Sequence, residues 1–191
     1  MWKTRGGADA EGVFGRLDAL YGETHRGYHH GGHIEDCLRE YDRVPGRAVT
    51  VEMAIWFHDV IYDPRRKDNE EQSALHFTEE AAGAGMSGGW IAEVDRLIRV
   101  TAHHRAALPD EALLCDIDLS ILGRSPEEYA RYVAGVRREY DWVSDADWRA
   151  GRAAVLRSFM ERPAIYHTNK YTALETPARA NMEAEISALS I

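Results

Sequence analysis

The spacing of apolar residues predicts an all-α protein, a single helical bundle of about eight or nine helices. Three observations support this. Apolar residues return at i, i+3, i+4 and i+7 almost throughout. No stretch alternates apolar and polar residues as a half-buried strand does. Start signals also stand at several helix beginnings, among them the Ser125-Pro126-Glu127-Glu128 capping box.

In chain order, Val13, Phe14, Leu17, Leu20 and Tyr21 form a first apolar face, and Ile34, Cys37, Leu38 and Tyr41 a second. The run Met53-Ala-Ile-Trp-Phe57, continued by Val60 and Ile61, is apolar on every side and reads as a central helix. Asp68 with Glu71 is a capping-box candidate for the stripe Glu70, Ala74, Phe77, Ala81. Ile91, Val94, Leu97, Ile98 and Thr101 follow, then a helical reading of LLCDIDLSILG, then Tyr129, Tyr132, Val133, Val136 and Tyr140. Thr176-Pro177 offers a last N-cap and proline pair. Gly31-Gly32 and the span Gly83 to Gly89 read as breaks, with Pro45-Gly46 and Pro109-Asp110 as turns. None is long enough for an interdomain linker, so 1–191 reads as one domain. Its core is expected over about 26–123, with C-terminal helices over about 125–191 packing on it.

Composition narrows the function classes. The chain has 191 residues and a formal charge of -9, which argues against a nucleic-acid polymer or an anionic membrane as partner. No stretch approaches the ~18 apolar residues of a membrane span. The opening MWKTRGGADA has no apolar leader core. Cys37 and Cys115 lack C-x-x-C spacing and suit a reducing cytoplasm.

Helical phase separates solvated charges from inward ones. His33 lies four residues before Cys37 and eight before Tyr41, on the apolar stripe, whereas Glu35, Asp36, Arg39, Glu40 and Asp42 fall outside it. His58 and Asp59 follow the apolar run of the central helix, where a carboxylate requires a partner. In LLCDIDLSILG, Asp118 shares its face with Leu114, Cys115, Ile121 and Leu122, and is favoured over Asp116 as the buried carboxylate. Two imidazoles and two carboxylates converging from three helices suit one divalent ion that accepts mixed nitrogen and oxygen donors. The donor set leaves Mn, Fe, Co, Ni, Zn and Mg open. Such an ion polarises a phosphoryl group and compensates both buried charges. A lone inward His is more often a hydrogen-bonded core residue, so it is the combination that carries the metal reading.

The order His33, His58-Asp59, Asp118 resembles the HD superfamily of metal-dependent phosphohydrolases, and most closely a group of small predicted HD-domain proteins. The likeness rests on Arg26-Gly-Tyr28-His29 through His33, the WFHD block ending at Pro64, and Asp68 to Ala74. It continues through Thr101 to His104, Asp116 to Gly123, and Ile165-Tyr166 with Ala178-Arg179-Ala180-Asn181. The resemblance implies an HD-type helical fold, a divalent metal on His33, His58, Asp59 and Asp118, and hydrolysis of a nucleotide or other small phosphorylated metabolite.

Surrounding residues then take candidate roles. Glu70 faces the core and is a general-base candidate, and equally a favourable first-turn charge. Asp63 is the second base candidate, with a turn-forming role before Pro64 as its alternative. Arg26 is expected to grip phosphate, and His29 to bind substrate. His104 is open to three roles: contacting the phosphate, ligating a second metal, or bonding within the core. Lys170-Tyr171 and Arg179 are candidates to close over the pocket, while Trp142, Trp148 and Phe159 read as packing before base stacking. Two rival functions stay open. One is a di-iron oxygenase drawing on His29, His103 and His104; the other is a metal or nucleotide sensor without turnover.

Overall fold

A computed structural model describes residue 2 and residues 9–190. Most of the opening MWKTRGGADA and residue 191 lie outside the described residues. Among those described there are nine α-helices and no strand. They are α1 (Ala10–Tyr21), α2 (Gly31–Asp42), α3 (Val49–Phe57), α4 (Asn69–Gly83), α5 (Gly88–Val100), α6 (Pro109–Asp118), α7 (Pro126–Glu139), α8 (Asp145–Met160) and α9 (Thr172–Leu189). Short 3-10 turns at Leu119–Gly123 and Asn169–Tyr171 lead out of α6 and into α9. No helix among the described residues is long and apolar enough to cross a membrane.

α3 is the hub. Its sequence, VTVEMAIWF, carries one charge in nine residues, so it is stable only where neighbours cover it on nearly every side. It packs against α2, α4, α5 and α6. Val51, Ala54 and Ile55 are fully buried, and Phe57 meets Phe77 of α4 edge to face at 5.1 Å. The core continues into the C-terminal helices through Leu156, Ile165 and Met182. There, Arg152 and Glu185 form a buried ion pair that Tyr129 and Tyr132 also bond. Cys37 and Cys115 are free and buried.

Local chemistry moves several expected boundaries. Gly31 and Gly32 open α2 instead of interrupting the chain. The His30 ring caps the helix by accepting the Gly32 N–H at Nδ1, and a Cβ at Gly32 would lie 2.6 Å from that ring. Asp68 sits at the N-cap of α4, but its carboxylate bonds Arg66 and Gln72 instead of the helix backbone. The Ser125 capping box forms as expected, with Glu128 returning the bond. α9 starts at Thr172, a turn before the Thr176-Pro177 pair, because the 3-10 turn runs into it; Pro177 falls inside the helix. Asp116, not Asp118, is the fully buried carboxylate of α6. It accepts the backbone N–H groups of His167 and Thr168 and the Thr168 hydroxyl, so it holds down the 167–168 loop.

Candidate metal centre

The ends of α3 and α6 aim at the first turn of α2. His33 projects from that turn, His58 caps α3 with Asp59 next in the chain, and Asp118 is the last residue of α6. Ligand atoms of His33, His58 and Asp118 lie within 4.8 Å of one another. His33 Nε2 is 3.2 Å from His58 Nε2 and 3.1 Å from Asp118 Oδ1, and His58 Nε2 is 3.5 Å from that same oxygen. Asp59 Oδ2 stands 3.1 Å from His58 Nε2 and 3.6 Å from His33 Nε2.

Helix-end geometry fixes the orientation of His58. The Ile55 carbonyl, one of the last of α3, accepts the His58 Nδ1 proton at 3.0 Å. Nε2 is thereby aimed at the cluster with its lone pair free in the neutral ring, the state a metal ligand needs. Burial opposes charge here, yet Asp59 and Asp118 hold the His58 imidazole well above its ordinary range. Burial raises both carboxylates, but His58, helped by His33 with His29 at Asp59 and with His104 at Asp118, outweighs it and holds them below the usual range.

The donor set fits a divalent cation. Ligand bonds of about 2.1 Å give neighbouring-donor separations of about 3.0 Å in an octahedron and about 3.4 Å in a tetrahedron. The separations among His33, His58 and Asp118 run from 3.1 to 3.5 Å, and Asp59 stands near both histidines but outside that mutually close group. Two nitrogens and one carboxylate, with the Asp59 carboxylate beside them, suit a transition ion of borderline softness.

His104 reaches the same carboxylate from the turn after α5, its Nε2 bonding Asp118 Oδ2 at 2.7 Å. Asp118 thus divides its oxygens, Oδ1 toward the histidines and Oδ2 toward His104. His29 stands at the wall of a cleft of about 630 Å³ that Tyr62, Arg66, Glu70, His103 and Trp148 also line. Trp142, read as core or helix packing, stacks with Tyr140 and under the Arg65 guanidinium and is 49% exposed at this cleft. On the other side, His33 and Asp118 open on a smaller, partly open pocket of about 190 Å³ with Tyr28, Cys37, Ser120 and Arg124.

Arg26 differs from its expected role. Its side chain is buried, and its guanidinium donates to the carbonyls of His29, Asp59 and Val60 and to Glu23. α3 ends at Phe57, which leaves carbonyls beyond it without helical donors, and the planar Arg fork supplies them. Arg26 therefore staples the His-Asp turn to the loop before α2, and it is not free to grip phosphate. Asp63 Oδ1 accepts the Arg65 N–H in an Asx turn. It lines a hollow of about 750 Å³ whose walls, like those of the 630 Å³ cleft that Glu70 lines, include none of His33, His58, Asp59 and Asp118; only the 630 Å³ cleft is shared with His29. Lys170 bonds the Arg43 carbonyl, and Arg179 bonds the carbonyls of Met160 and Arg162, so neither closes over the centre.

Glu139 did not stand out in the sequence. Its Oε1 accepts three consecutive N–H groups, from Gly27, Tyr28 and His29, at 2.7 to 2.8 Å. Oε2 bonds His29 Nδ1 and the Tyr62 hydroxyl, each at 2.8 Å. The loop can lie this close to α7 only because Gly27 meets Gly135; a Cβ on Gly27 would stand 2.2 Å from the Gly135 carbonyl oxygen. Burial is outweighed by His29 and the backbone donors, and the Glu139 carboxyl is pushed down to about 2. The signal was present: Glu139 is three residues after Val136 and seven after Tyr132, on the apolar stripe. Compared with family models, curated proteins and solved structures, the chain matches none.

Proposed function

We propose that the protein is a metal-dependent phosphohydrolase acting on a nucleotide or other small phosphorylated metabolite, as the resemblance to the HD superfamily implies. One observation carries most of the weight: the ligand atoms of His33, His58 and Asp118 gather within 4.8 Å, with Asp59 beside them. Those four residues hold the ion. When bound, it supplies Lewis-acid stabilisation of charge on a phosphoryl group. The chain's own groups do the rest. Glu70, in the first turn of α4 and on the cleft wall, accepts the proton of the attacking water. Glu139 holds the His29 ring by Nδ1, which leaves Nε2 to meet the substrate. Burial pulls the His29 imidazole down, but its bond to Glu139 and the charge of Asp59 raise it above the ordinary value, which favours contact with an anion.

The bond between His104 and Asp118 favours a second reading, a two-iron oxygenase in which His104 serves another ion. A panel of nucleotides and small phosphate esters, assayed with Mn, Co, Ni, Zn or Mg for released phosphate and pyrophosphate, separates the two. Turnover that disappears in His58→Ala and Asp59→Ala supports hydrolysis. No release across the panel, with two irons per purified chain, supports oxidation instead.

A further inference from the structure

His104 adopts a left-handed backbone, with φ at 47°. Residues with a Cβ avoid this region, and such a residue persists only where its surroundings over-determine it. Here the surroundings come from the other end of the chain. Arg162, after α8, donates Nη1 to the His104 carbonyl and Nη2 to the His103 carbonyl, both at 3.0 Å. His167 Nε2 adds a third bond, to the His104 carbonyl at 3.2 Å. The guanidinium lies over the Phe159 ring, 4.2 Å from its centroid, and that ring is 6.2 Å from the His104 imidazole. Arg162 Nε is buried without a hydrogen bond, so the group is placed by its two carbonyl bonds and its stacking.

We infer that Arg162 is a positioning residue of the metal centre. By gripping two successive carbonyls it holds His104 in the left-handed conformation, which delivers Nε2 to Asp118 Oδ2 and turns Oδ1 toward His33 and His58. This rests on the metal reading above and extends it to a residue 58 positions from His104. The planar two-pronged donor is essential because one prong alone lets the 103–104 peptide rotate.

Co²⁺ is the probe, since its visible absorption reports ligand geometry and its affinity is read by titration, neither of which depends on turnover. Arg162→Ala removes both prongs. Arg162→Lys keeps the charge but not the fork, and serves if the alanine variant fails to fold. His104→Gly removes the imidazole and the backbone strain together. Expected are a changed absorption band and Co²⁺ binding weakened by about 10-fold or more in each, as outer partners of ligands typically give. Arg162→Lys combined with His104→Gly should bind no more weakly than His104→Gly alone, because Arg162 acts through His104. A wild-type band and affinity in Arg162→Lys, or additive losses in the double variant, overturn the inference while leaving the metal reading intact. A wild-type chain that takes up no Co²⁺ overturns both.

Discussion

Five donors converge on the Glu139 carboxylate: three backbone N–H groups, one imidazole and one phenol. With its carboxyl at about 2, well below the ordinary glutamate value, Glu139 stabilises the fold above the ordinary value. The benefit is lost as pH falls toward 2, and amounts to about 3 kcal/mol at neutral pH. His29 works in the opposite sense. Its raised imidazole stabilises at low pH, and its share fades as pH rises through the raised value. Glu139→Gln keeps an acceptor for the three N–H groups but turns an amide toward His29 Nδ1, which already carries a proton in this bond. Urea melts should show the variant less stable by about 2–3 kcal/mol at pH 7, with the gap narrowing to about half by pH 3 and closing only toward pH 2. An equal gap at pH 7 and pH 3 would exclude this role. Legibility divides on the same physics. His33, His58, Asp59 and Asp118 were readable because each interrupts or follows an apolar stripe. Arg26 was misassigned because an arginine that satisfies backbone carbonyls has no mark in sequence separating it from one that binds phosphate. Asp116 outranked Asp118 in burial because its partners lie 51 and 52 residues away, on a loop that no local pattern predicts.

Among the elements, α3 and the turn after it depend on Arg26, whose four partners lie on two loops. Arg26→Ala leaves the carbonyls of His29, Asp59 and Val60 buried without this donor, a loss expected to cost about 3 kcal/mol or more. Arg26→Lys offers a single ammonium on a flexible stem and should recover only part of it. Thermal or urea melts of the two variants measure the difference. A lysine variant as stable as wild type, with weakened phosphate binding, would instead return Arg26 to the anion-gripping role. Helices themselves were legible wherever one face is apolar, as in α2, α5 and α7. Their ends were less so: the His30 ring caps α2 ahead of two glycines, and a 3-10 turn starts α9 ahead of its proline. Both depend on contacts made after folding and not on propensity.

Over the whole molecule, the cluster draws its side chains from α2, the end of α3 and the end of α6, so its four candidate ligands are gathered only in the folded state. In the unfolded chain they are spread from residue 33 to residue 118 and cannot hold one ion together. An ion binding here must therefore stabilise the fold by mass action, by about 2.7 kcal/mol at one hundred times its dissociation constant. For a chain of this length that corresponds to a rise in Tm of roughly 5–10 °C. The rise should be reversed by a chelator and follow the divalent ions that nitrogen and carboxylate donors prefer, with Co, Ni and Zn ahead of Mg. His58→Ala is the internal control. It removes one donor and the partner that holds down both carboxylates, and its Tm should stay unchanged on adding the ion. Equal shifts in wild type and His58→Ala would place the ion elsewhere on this acidic surface, and no shift with any of these ions would leave the half-buried Asp59 and Asp118 carboxylates to be balanced by protonated histidines alone.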